Sequence, residues 1–76
     1  MTYHEIEKLC QGKQLPLCAK NEHNENVLIA GGSEKWSYGS DSWERKFYHL
    51  ETSQKNGWIR HNVVFDDGSS EEFYSK

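Results

Sequence analysis

His4, Cys10, Cys18 and His23 lie within the first third of the chain and are nominally a Cys₂His₂ donor set for zinc. Their spacing argues against that chemistry. Structural zinc sites present pairs of ligands about two to four residues apart, whereas the gaps here are six, eight and five. Both cysteines also lie in apolar runs, where a thiol's pKa rises and its nucleophilicity is lost. Neither reads as a nucleophile with His49 or His61 as its base. Asp66-Asp67 and Glu71-Glu72 flank a glycine turn and lack the pattern of a calcium loop. Gly31-Gly32-Ser33 follows an aliphatic run, but Trp36 and Tyr38 come next rather than the helix that a phosphate-binding turn requires. No catalytic residue, metal centre or cofactor is therefore expected, and the cysteines are read as reduced thiols.

The aromatics carry more. Three Trp, four Tyr and three Phe stand in 76 residues that are only 34% hydrophobic. Each aromatic buries about 150–250 Å², enough to give a core to a chain poor in aliphatics. Trp36, Tyr38 and Trp43 cluster in a stretch rich in Ser and Gly.

These side chains need a scaffold, and the last third supplies most of it. Runs 46–52, 58–65 and 71–75 are rich in aromatic and β-branched residues and are separated by Asn56-Gly57 and Asp67-Gly68. Those dipeptides suit two-residue type I′ hairpins. That loop length pairs Leu50 with Val63 and Tyr48 with Phe65, then Val63 with Glu72 and His61 with Tyr74. One face then holds Tyr48, Leu50, Ile59, His61, Val63, Phe65 and Tyr74. The other holds Phe47, His49, Trp58, Arg60, Val64 and Phe73.

Upstream, Thr2 and Glu5 form a capping-box pattern, and Tyr3, Ile6, Leu9 and Cys10 follow at helical spacing. A short helix over 3–11 is predicted, ended by Gly12. Leu15-Pro16-Leu17-Cys18-Ala19 reads as an edge strand because proline removes a ladder donor. Residues 21–26 are a polar loop, and Val27-Leu28-Ile29-Ala30 is a buried strand ending at Gly31-Gly32. Trp36 and Tyr38 sit on a further short strand, and Gly39-Ser40-Asp41-Ser42 form a turn.

The sum is one small β-dominated α+β domain spanning residues 1–76. It has a short N-terminal helix and a five- or six-stranded antiparallel meander, shaped as a strongly bent sheet or a small open SH3-like barrel. The phrase Val63-Val64-Phe65-Asp66-Asp67-Gly68 resembles hairpins of SH3-like and Tudor-like barrels, but over a handful of residues that are mostly turn chemistry. It identifies no family.

The formal net charge of −3 comes from interspersed acids and bases, with no basic stripe for a nucleic-acid duplex. No apolar run approaches the ~20 residues of a membrane span, and the first residues lack the pattern of a secretory signal. A cytoplasmic chain is expected. The function read from the residues is a non-catalytic protein-interaction module, a small soluble regulator, inhibitor or adaptor. Its partner-binding residues are Trp36, Tyr38, Trp43, Phe47, His49, Trp58, Arg60 and Phe73. The alternative is a single-stranded RNA or DNA binder stacking bases on the same aromatics, with a zinc- or thiol-dependent domain third.

Overall fold

The computed structural model describes residues 2–76. Helix α1 spans Tyr3–Cys10, followed by β1 Leu17–Lys20, β2 Asn26–Tyr38, β3 Asp41–Ser53, β4 Ile59–Phe65 and β5 Ser70–Ser75. The strands form one antiparallel sheet in chain order. The two ends of the sheet do not meet. It stays open and uncurled, so the barrel is not formed.

Thr2 caps α1 as its sequence pattern requires, accepting a hydrogen bond at Oγ1 from the Glu5 amide at 3.3 Å. The Glu5 carboxylate accepts the Thr2 hydroxyl at 3.1 Å. Ile6 and Cys10 point into the sheet, while Leu9 lies at the margin. They join Val27, Ile29, Leu50 and Val64 in the core, flanked by Tyr3, Leu17, Ala19 and Tyr48. Short as it is, α1 covers one face of the sheet. Strand β1 is an edge strand, as Pro16 foretells.

Three sequence expectations are corrected. Strand β2 does not end at Gly31-Gly32 but runs on through Trp36 to Tyr38. The glycines are needed because side chains lie over them, Phe47 of β3 over Gly32 and Leu15, just before β1, over Gly31. A Cβ on Gly32 would stand 2.5 Å from the Phe47 ring, and one on Gly31 would stand 3.0 Å from Leu15 Cδ1. The turn after β2 is only Gly39-Ser40, since Tyr38 pairs with Asp41. Gly39 has positive φ and Ser40 does not, the pattern of a type II′ hairpin.

The third correction is the register. Gln54 pairs with Trp58 and Phe65 with Ser69 through backbone hydrogen bonds of 2.8 and 2.9 Å. Both loops thus hold three residues, with only the glycine at positive φ, 85° at Gly57 and 92° at Gly68. These are type I turns closed by a left-handed glycine, not I′ turns. Leu50 faces Asn62 rather than Val63, and Tyr48 faces Val64 rather than Phe65. Val63 faces Glu71 and His61 faces Phe73. A slip of one residue exchanges the faces of β4. Arg60 and Val64 pass to the helix side, whereas His61, Val63 and Phe65 join Phe47, His49 and Phe73 on the other.

Candidate functional site

Among the described residues no element packs over that second face. The outer part of the β2–β3 hairpin, residues 33–46, also runs beyond the strands beside it. Strand β1 reaches β2 only at Ile29, and β4 reaches β3 only at Phe47. The result is a two-stranded arm on a flat molecule measuring 47 × 30 × 19 Å.

Trp36 and Trp43 face each other across the arm and stack, ring centres 4.1 Å apart at 25°. Beside them Arg45 pairs with Glu34 at 3.1 Å and Asp67 at 3.2 Å. Burial alone would lower the Arg45 guanidinium, but its bonds to Glu34 and Asp67 outweigh it and hold it above its ordinary range. Its carbon sits 3.5 Å over the Phe65 ring and Phe47 meets Phe65 edge-on at 5.8 Å. Phe65 is therefore buried on a face that is otherwise largely open. Asp67 is held below the usual carboxylate range, first by the Ser69 hydroxyl and amide and then by Arg45. One ion-pair group thus ties the base of the arm to the β4–β5 turn.

Further along the same face His49 and His61 meet. His49 Nε2 lies 2.9 Å from His61 Nδ1, and His61 Nε2 lies 2.6 Å from Ser75 Oγ. Phe73 stacks on His61, with centres 4.7 Å apart and planes within 7°. Glu51 Oε1 stands 4.0 Å from His49 Nε2. His61 is a buried, hydrogen-bonded histidine on the face opposite to the one expected, and its neighbour is Phe73 rather than Tyr74.

The eight residues singled out from sequence separate into two groups. Trp36, Tyr38, Trp43, Phe47, His49 and Phe73 share the uncovered face, with Trp36, Tyr38 and Phe73 well exposed. Trp58 lies instead in the approach to β4, where Lys76 Nζ stands 5.5 Å over its ring. Arg60 is on the helix side, paired with Glu25 at 3.3 Å beside a recess of about 320 Å³ that also touches Asn21, His23 and Thr52. Glu25 is held below its ordinary range, chiefly by Asn21 and then by Arg60. Residues that sequence reasoning left out of the site are Glu51, His61 and Ser75. Glu51 shares a face with His49 on β3 in any register, but only the correct register brings His61, with Ser75 behind it, to His49.

The N-terminal donor set is not assembled. Cys10 is buried under α1, and burial pushes its thiol up. Cys18 is exposed on the opposite face of the sheet. No helix among the described residues is long and apolar enough to cross a membrane. No protein-family model, curated protein or solved structure matches the chain.

Proposed function

We propose that the protein is a non-catalytic interaction module, a small regulator, inhibitor or adaptor that docks another protein on the arm and the uncovered sheet face. One observation carries this reading: the only helix among the described residues covers one side of the sheet, and the other side presents Trp36, Tyr38, Trp43, Leu28 and Phe73 to solvent. Exposed aromatic and apolar side chains gathered on one face mark interaction sites, and Trp and Tyr dominate binding hot spots. Both sides of the arm's tip also carry unpaired strand edges, which accept a partner's backbone.

The single-strand nucleic-acid alternative fits less well. Phosphate contacts need free cations, and Arg45 is committed to two carboxylates while Arg60 lies on the other face beside Glu25.

The test is affinity capture from host lysate with three baits: the wild type, Trp36→Ser/Phe73→Ser, and a helix-side control, Lys8→Glu. The expected result is a protein retained by the wild type and the control but lost with the double variant. Equal capture by all three removes the reading. Tryptophan quenching by single-stranded oligonucleotides that fades with salt would put the nucleic-acid reading in its place.

A further inference from the structure

The geometry points to a binding site for a divalent transition-metal ion of the Zn²⁺ and Ni²⁺ class, formed by His49 Nε2, His61 Nδ1 and a Glu51 carboxylate oxygen. It is separate from the N-terminal set considered above and does not rest on the docking proposal.

The three ligand atoms lie within 4.8 Å of one another. Two nitrogens bound to one metal at about 2.0–2.1 Å stand about 2.9 Å apart at a right angle and about 3.3 Å apart at the tetrahedral angle. The observed 2.9 Å between His49 and His61 lies at the near end of that range. Glu51 must close by about 1 Å on His49 from its 4.0 Å separation and by no more than about 2 Å on His61, which it approaches within 4.8 Å. Its side chain is 39% exposed and has room to turn. Both imidazoles project from adjacent strands in the body of the sheet rather than from loops, so their spacing is set by the ladder.

The surroundings also match what a metal-bound imidazole needs. Such a ring gives its second N–H to an oxygen, which fixes its tautomer and orientation. Ser75 Oγ stands at 2.6 Å to accept the Nε2 proton of His61, and this aims the Nδ1 lone pair at the site. Phe73 stacked on the ring restricts its rotation. With the Nε2 proton of His61 given to Ser75, the hydrogen bond between the two rings is one that His49 Nε2 donates to His61 Nδ1. Metal takes the place of the bridging proton, which passes to His49 Nδ1. Two imidazoles and one carboxylate suit Zn²⁺, Ni²⁺ and Cu²⁺ better than Mg²⁺ or Ca²⁺. Three protein ligands leave a coordination position open toward the uncovered face.

The test titrates the full chain, treated with EDTA and dialysed, with zinc or nickel chloride by calorimetry while NMR follows the histidine rings. The expected result is one saturable equivalent per chain, with zinc shifting the ring signals of His49 and His61 and leaving those of His4 and His23 in place. MgCl₂ should give no such response. His49→Gln, at a half-buried position and with its fold checked by circular dichroism, should abolish binding. Ser75→Ala and Glu51→Gln should each weaken it about tenfold or more. Absence of saturable binding, shifts centred on His4 or His23, or binding unchanged in His49→Gln would overturn the site. Binding unchanged in Glu51→Gln would overturn the three-ligand assignment.

Discussion

Gly32 shows how one residue decides whether β2 can continue. Its missing Cβ leaves the space in which the Phe47 ring lies, and a methyl there would stand 2.5 Å from the ring. Gly32→Ala should destabilise the protein by about 1–3 kcal/mol, the usual cost of overpacking, measured by urea unfolding. Gly31→Ala meets only the tip of Leu15 at 3.0 Å and should cost less. Equal effects at the two positions would remove the packing explanation. Asp67 acts through charge. Its carboxyl is lowered from 3.8 by Ser69 and Arg45. Its folded pKa is thus below its unfolded one, and its contribution is fully present above the unfolded value. It is lost as pH falls through the folded value. Melting temperatures taken from pH 6 down to pH 2 should show a shallower acid decline in Asp67→Asn than in the wild type. Parallel declines would mean that Asp67 contributes nothing through ionisation.

At the scale of the hairpin, register separates what could be read in the sequence from what could not. Helix, cap, edge strand, strand order and the glycine turns were all legible, because each rests on local chemistry: Thr2 with Glu5, Pro16, Asn56-Gly57 and Asp67-Gly68. Loop length was not. Asn-Gly and Asp-Gly serve a two-residue turn with two positive φ angles and equally the end of a three-residue loop with one. The preceding residues, Lys55 and Asp66, do not choose between them. That one-residue ambiguity placed His49 and His61 on opposite faces, which hid the approach of His61 to His49 and Glu51. It also assigned Arg60 to the aromatic face, while Trp58 lies just before β4, opposite Gln54. Cross-strand NOEs should join His49 to Val63 and Leu50 to Asn62. Strong contacts between Leu50 and Val63 as a directly opposed pair would restore the two-residue loop and dissolve the His49–His61 pair.

At the scale of the whole molecule the two sides of the sheet carry unequal shares of stability. The helix side holds Ile6, Val27, Ile29, Leu50 and Val64, all buried, whereas the other side is largely open apart from Phe65 and His61. A chain this small buries only about 60% of its unfolded surface, so nearly all of its apolar stabilisation comes from one thin layer. Leu28 and Ile29 test this cleanly. They are neighbours in β2 and point to opposite faces, Leu28 being 43% exposed and Ile29 fully buried. Ile29→Ala should cost about 2–5 kcal/mol and bring the chain close to unfolding, given total stabilities of about 5–15 kcal/mol. Leu28→Thr puts a β-branched residue, which suits a strand, at an exposed position and should change stability by no more than about 0.5 kcal/mol. Urea melts of both variants at two protein concentrations decide the matter. If Leu28→Thr costs as much as Ile29→Ala, the second face is covered in solution. A midpoint that rises with concentration in the wild type would then identify the cover as another copy of the same chain.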